Sequence, residues 1–329
     1  MAVLNTTDIN YTYDGILSTE VLVKPMVQHP DILKVFRVIP GIRSKYQLHT
    51  TVPLNPIVQA GTGNCTRNEV NNPVSIANRE LSTCELGFYL TQCSDVFEGT
   101  VYENALKTGT EVRDLTGTEI QKIITNDLII PAASRDLFKI MSFGDTGSGD
   151  AFINGCDGMW TKLIAGEATY EVKRTTTAIG ATLSAGQAIA SLEEAYTEAE
   201  IILKQIEPGK KKFFVTGSIA EDYQKTLETQ NATEAGWMQI QDGVMKLYYR
   251  GIEVVPIYAW DEYLSASSSA NPHRILYTSV DNHVIGVEKA NDVNKLDVWF
   301  SKDDNVMKYE GRFKVGYNYV HGDLQIIAY

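Results

Sequence analysis

Basic residues are scarce in this chain. Its 329 residues include 29 lysines and arginines against 41 aspartates and glutamates, a net charge of −12. Affinity for a phosphate backbone comes from cations that neutralise it, so the composition excludes a primary nucleic-acid binder. One basic run exists, Lys210-Lys211-Lys212, with Phe213 and Phe214 directly after it; so short a run reads as the solvated entrance to a strand. Cysteine is scarce as well: Cys65, Cys84, Cys93 and Cys156 lie far apart with no CxxC pair. That spacing suits neither a zinc site nor a dense disulfide framework. The expectation is reduced thiols in an intracellular protein, with the sequons at Asn5, Asn64 and Asn231 chance matches. No window approaches the roughly 18 apolar residues of a membrane span. Residues 1–15 hold no basic region followed by an apolar stretch, so no secretory signal is visible.

Catalytic signatures are missing too. The glycine-rich stretch SFGDTGSGDAFINGCDG, residues 142–158, lacks the Gly-Lys-Ser/Thr that a phosphate-cradling loop needs. Gly149 precedes Asp150, whose carboxylate would repel phosphate, and no strand–glycine–helix order surrounds the stretch. It reads as a flexible connection. There is no GxSxG elbow and no EF-hand pattern. The five histidines, His29, His49, His273, His283 and His321, are scattered without metal-ligand spacing. Carboxylate pairs occur at Glu193-Glu194, Asp261-Glu262 and Asp303-Asp304. The first falls on the polar side of a helix and the last in a hairpin turn, where solvated carboxylates are expected without any function. Nothing here calls for a cofactor or a metal.

Structural devices, by contrast, are plentiful. The chain is 43% hydrophobic and 21% charged, as globular proteins are, and long enough for two domains or one with long excursions. The first 40 residues mix polar residues with short apolar pairs, and Pro25, Pro30 and Pro40 break any long element; they read as an arm that packs on something else. Residues 45–81 begin and end like strands around a tip rich in Gly, Asn and Thr. Such a hairpin buries little of itself and needs a partner surface. Capping boxes announce three helices. Thr116 with Glu119 opens the first, which Pro131 should kink or split. Ser184 with Gln187 opens the second, residues 184–206, with Ala185, Ile189, Leu192, Tyr196, Ala199, Leu203 and Ile206 on one stripe and a length of about 34 Å. Ser218 with Glu221 opens the third. Strands dominate the rest: KKFFVTG, a pair folded about Arg250-Gly251, RILYTSV, HVIGVEKA, and a final pair about an Asp-Asp-Asn turn. In that last pair Leu296, Val298 and Phe300 alternate, then Phe313, Val315, Tyr317 and Tyr319. Helices and strands segregate in blocks, which predicts an α+β fold. An arm, a projecting hairpin and a long helix order much chain while burying little of it, so neighbouring copies are expected to cover them.

In this order the pieces resemble the major capsid protein of tailed bacteriophages, the Hong Kong 97-type fold. RDLFKIMSFGD followed by INGCDGMWTKLI is similar to that family's peripheral-domain link, and FFVTGSIAEDYQKTL to the strand and helix that open its axial domain. Gly251, Ile252, Val254, Val255 and Pro256 resemble its "GipVv" strand pair, and Lys314, Val315 and Gly316 its closing phrase. The resemblance implies an N-terminal arm at 1–42, an extended loop at 43–82 and a peripheral domain at 83–212 whose spine helix is 184–206. An axial domain at 213–292, return strands at 293–318 and a C-terminal axial strand at 319–329 follow. It also implies a structural protein without enzymatic activity, forming pentamers and hexamers of an icosahedral shell around double-stranded DNA. The implied setting is a virion assembled in the bacterial cytoplasm, with a portal, a decoration protein and a scaffolding protein as partners. With no long helical leader before the arm, a separate scaffolding protein, or an already trimmed chain, is expected. The interface candidates that follow are Leu54, Ile57, Val58, Gln59, Asn64, Arg67, Glu69 and Asn72 in the loop, with Glu193, Glu194 and Lys204 on the spine. The loop tip, residues 59–72, holds Arg67 but no lysine, which speaks against a Lys–Asn cross-link between copies. An encapsulin, a cellular compartment of the same fold, is the near alternative; a cytosolic hydrolase with an unrecognised carboxylate site is the distant one.

Overall fold

The computed structural model describes residues 12–13, 36–51, 76–97, 114–229, 238–241, 244–267, 269–288 and 296–329. The chain begins with strands β1 (Thr12–Tyr13), β2 (Phe36–Pro40), β3 (Lys45–Thr51), β4 (Ile76–Ser82) and β5 (Cys84–Gln92). Helix α1 (Glu119–Ile123), a π-helical segment (Ile124–Ile129), α2 (Ile130–Phe143) and α3 (Met159–Ala168) follow. After β6 (Lys173–Arg174) come α4 (Gln187–Glu198), α5 (Ile201–Gln205), β7 (Lys211–Thr216) and α6 (Gly217–Thr229). Next are β8 (Met238–Gln241), β9 (Val244–Tyr249), β10 (Ile252–Ile257) and α7 (Tyr258–Ala266). The last are β11 (Ile275–Ser279), β12 (His283–Val287), β13 (Leu296–Ser301), β14 (Val306–Tyr319) and β15 (Gln325–Ala328).

β14 organises the first sheet. Val315 pairs with both Cys84 and Val287, so β5 lies on one side of it and β12 on the other. β13 precedes β12 along that second side, antiparallel over Val306 to Gly311. β1 and β2 add to the outer edges of β13 and β12. The alternation read along β14 holds: Met307, Tyr309, Phe313, Val315, Tyr317 and Tyr319 are buried. The arm expected at 1–42 ends inside the body, since β2 is a strand of this sheet and Ile42 is buried. β12 also pairs here, not with the strands of 211–279 with which the 213–292 division grouped it.

The second sheet has the order β6-β15-β11-β7-β10-β9-β8. Its centre is buried on both faces, as the solid apolar runs of β7 and β11 require. Successive side chains of a strand point to opposite faces, so Phe213 and Phe214 enter different cores. Phe214 joins Leu276, Ile327, α2, α3, α7 and the inner face of the first sheet. Phe213 stacks on Tyr277 at 4.2 Å and joins the helices α4, α5 and α6. The β9–β10 hairpin turns where expected, with Arg250 and Gly251 both at positive φ, 50° and 78°. That is the backbone a tight two-residue hairpin turn needs.

The helices depart from expectation in three ways. First, the long helical run is 119–143, not 184–206. Its π-helical segment leads into Pro131, which lacks the amide hydrogen that a regular ladder would need. Its cap is displaced two residues from Thr116: Thr118 Oγ1 accepts from Gln121 N at 3.3 Å, and Gln121 Oε1 accepts from Gly117 N at 2.6 Å. Secondly, 184–206 breaks at Ala199 and Glu200 into α4 and α5, and α4 spans about 18 Å. The Lys204 ammonium takes the freed Thr197 carbonyl at 2.6 Å. Of the box at Ser184 the reverse half survives, Ser184 N donating to Gln187 Oε1. Thirdly, Ser218 does not cap α6; Asp261 does, accepting from the amides of Gly217 and Ser218 at 2.5 and 3.2 Å.

Two readings of the polar runs are also corrected. Lys211 is buried, not solvated, and its ammonium caps the end of α5 through the carbonyls of Leu203 and Lys204. Burial lowers its pKa. The glycine-rich stretch is tied down: Asp145 N bonds Ile153 O, Gly158 N bonds Gly144 O, and the Asp157 carboxylate takes Thr146 N and Oγ1. A Cβ on Gly144 would fall 2.0 Å from the Cys156 carbonyl, so glycine serves close packing here. Finally, Cys84 and Cys156 form a disulfide across a sequence separation of 72, with Cα atoms 5.7 Å apart. The expectation of reduced thiols is overturned for that pair. Cys93 is free, and Cys65 lies outside the described residues.

Candidate assembly surface

The projecting hairpin is the first part of the site. β3 and β4 pair in register from Lys45↔Ser82 to Thr51↔Ile76, and they form a sheet of their own. Its sides are polar: Lys45 pairs with Glu80 at 2.7 Å, and His49 Nδ1 lies 2.7 Å from Asn78 Oδ1. The root, however, is tightly held. Leu81, Ile42 and Leu48 pack on Val284. Asn318 Nδ2 donates to Glu80 O, and Thr83 N to Ser44 O. The Arg79 guanidinium lies 4.1 Å over the Tyr319 ring and pairs with Glu171 at 2.7 Å. Gly316 allows the closest approach, since a Cβ there would fall 2.1 Å from Ser82 O. The glycine singled out in the closing phrase therefore seats the hairpin. Beyond Thr51 the tip, with Leu54, Ile57, Val58, Gln59, Asn64, Arg67, Glu69 and Asn72, lies outside the described residues.

The outer face of the first sheet is the second part. It alternates against the buried face, carrying Glu85, Tyr89 and Thr91 on β5, Lys308, Glu310 and Arg312 on β14, and Trp299 on β13. Tyr89 and Trp299 are 54% and 37% exposed, with ring centroids 6.3 Å apart. Large aromatic rings open to solvent are typical of interaction surfaces.

The candidates on α4 and α5 are all engaged within their own fold. Glu193 pairs with Arg250 at 3.3 Å, and Arg250 also covers the Tyr196 ring. Glu194 Oε1 accepts from Thr177 N at 2.7 Å. Lys204 spans the helix break described above.

Members of each carboxylate pair of the enzyme reading are engaged as well. Beside the helix-capping Asp261, Glu262 pairs with Lys139 at 2.8 Å, a hydrogen bond that lowers its pKa. Asp304 is held below the usual carboxylate range by Lys308. The nearest thing to a nucleophile and base is Ser218 Oγ, 2.7 Å from His273 Nδ1. The amides of Gly217 and Ser218 would have to serve there as an oxyanion hole, but the Asp261 carboxylate occupies them with the wrong charge. A cleft of about 750 Å³ lies among Glu167, Tyr170, Glu171, Arg174, Glu200 and Asp323. Arg174 pairs with Glu167 at 3.5 Å, and Tyr329 Oη donates to Glu167 at 2.5 Å. Sequence reading missed the Cys84–Cys156 pair, the Arg79–Glu171 pair and the capping role of Asp261, because each acts through a partner about 40 to 90 positions away.

No protein-family model matches the chain, and no curated sequence does. Solved structures match it over nearly its whole length. A chain of the procapsid of satellite phage P4, solved with its size determination protein, has a TM-score of 0.58 at 11% identity, over 94% of this chain and 90% of that one. A chain of Gordonia phage Cozz has a TM-score of 0.54 at 11% identity, over 91% and 85%. The encapsulin of Synechococcus elongatus PCC 7942, in its holo complex, has 0.50 at 10%, over 91% and 86%. The likeness at these identities is one of fold. The chain has the α+β, Hong Kong 97-type capsid fold.

Proposed function

We propose that the protein is the major shell subunit of a tailed bacteriophage, assembling into pentamers and hexamers that close an icosahedral shell around double-stranded DNA. The observation that carries the reading is a capsid-type fold, followed over nearly the whole chain, with a two-stranded hairpin that forms a sheet of its own and is rooted on the body. An isolated two-stranded ribbon is marginal in water, and a neighbouring copy supplies the missing surface. In this reading the role is structural, the first sheet with helix 119–143 forms the peripheral domain, and the second sheet forms the axial one. The loop tip, the Tyr89–Trp299 face and the α4–α5 residues Glu193, Glu194 and Lys204 are the contacts between copies. A portal, a separate scaffolding protein and a decoration protein are the partners, assembly takes place in the host cytoplasm, and the net charge of −12 lets the shell hold DNA without gripping it.

Electron microscopy with sedimentation of the purified protein tests this. Closed shells or rings of five and six subunits are expected; a uniform small particle that never assembles at high concentration would sink the proposal. An encapsulin is the second reading, favoured by the Synechococcus likeness. Nuclease-protected DNA within the particles, with portal and scaffold proteins beside them, supports the phage shell. A co-purifying cargo enzyme supports the encapsulin.

A further inference from the structure

We propose that the Cys84–Cys156 bond is a redox latch on the root of the projecting hairpin, open as two thiols in a reducing cell and closed once the protein leaves it. Its position carries the inference. β4 ends at Ser82 and β5 begins at Cys84, while β2 ends at Pro40 and β3 begins at Lys45, so a change in the angle of the hairpin is absorbed at residues 82–84 together with residues 41–44. The bond joins that hinge to the loop between α2 and α3, where Cys156 is buried. The same loop is packed on β5 through Gly155, whose Cβ would fall 2.7 Å from the Leu86 side chain. The Asp145, Thr146 and Gly158 hydrogen bonds close it independently of sulfur. Loop and strand therefore stay opposed when the bond is broken, and the thiols are poised to close it again.

The chemistry is thiol–disulfide exchange with a small-molecule disulfide. Cys84 is half-exposed and Cys156 buried, so the order of events follows. The Cys84 thiolate attacks the reagent, whose S–S bond breaks and releases one small thiol. The Cys156 thiolate then attacks the Cys84 sulfur and expels the second. One protein S–S bond forms, the reagent gains the two electrons, and the two protons end on the released thiols. Cytosolic thiols are kept reduced while extracellular ones oxidise, so the latch closes on exit from the cell. That timing rests on the shell reading; the mechanical effect on the hairpin does not.

Hydrogen–deuterium exchange of the full chain, oxidised with glutathione disulfide and then reduced with dithiothreitol, reads the latch directly. Amides of residues 76–86 and 144–158 are expected to exchange about tenfold faster after reduction, the signature of a local opening made easier, and to slow again on reoxidation. The Cys84→Ser, Cys156→Ser double variant is expected at the fast rate in either buffer. Exchange unchanged by reduction would overturn the proposal. Alkylation of acid-quenched producing cells adds the second arm: free thiols there support a latch, and a bond already formed makes it a permanent staple instead. Sedimentation of the same samples separates the two readings. Protein that never forms shells yet shows the exchange change defeats the shell and leaves the hairpin effect standing, whereas shells with unchanged exchange defeat the latch alone.

Discussion

His283 sits fully buried on β12, its Nδ1 2.5 Å from the Tyr317 hydroxyl and its Nε2 3.0 Å from the Thr278 hydroxyl. Burial pulls its pKa from 6.5 down to about 3, and the hydroxyls facing it carry no charge in that range. Between those values the unfolded chain binds a proton that the folded chain refuses. The contribution of the neutral ring is thus intact above about pH 6.5 and is lost as pH falls toward 3, at about 1.4 kcal/mol per pH unit. His283→Gln is expected to lower the melting temperature at neutral pH, with a gap from wild type that narrows through acid; a gap constant from about pH 7 to about pH 4.5 would contradict this. Gly316 makes a steric prediction. With Ser82 O only 2.1 Å from the position of its missing Cβ, Gly316→Ala is expected to cost about 1–3 kcal/mol in urea unfolding. Gly209→Ala, where nothing lies within 4 Å, is the control and should stay within about 0.5 kcal/mol.

Helix α6 shows how an element can be foreseen while its cause is not. Ile219, Tyr223 and Leu227 recur at helical spacing after the Ser218–Glu221 box, and all three are buried on one face. The cap comes from Asp261, more than 40 positions away, and local sequence holds no trace of that. Asp261→Ala is expected to cost about 1–2 kcal/mol, read as a lower denaturant midpoint with the slope unchanged; no shift would return the cap to Ser218. The same limit explains the other differences. β14 and the Arg250-Gly251 turn were legible because strand alternation and tight-turn backbone are local properties. The length of 184–206 was overestimated because its apolar stripe runs on through Ala199 and Leu203, both buried, although the backbone breaks between them. Helix 119–143 was underestimated because Pro131 predicted a split where a π-helical segment keeps the run continuous. The interface candidates 54–72 were chosen from a resemblance, and their test is functional.

The loop tip gives the whole-molecule prediction. Deleting residues 59–72 is expected to leave the far-ultraviolet circular dichroism and melting temperature of the subunit close to wild type, while large particles disappear from sedimentation profiles. Shells of normal size from the deletion would show that copies hold one another by other surfaces. The route of the chain through the first sheet has a further consequence, for how the protein is made. β5 waits for β14, whose first partner residue, Met307, follows Gln92 by about 215 residues, and ribosomes add roughly 5–20 residues per second. For roughly 10 to 40 seconds each nascent chain therefore carries an unpaired β5 with Phe88 uncovered. The newly made chain, with its unpaired strand edge and uncovered apolar surface, is therefore the aggregation-prone species.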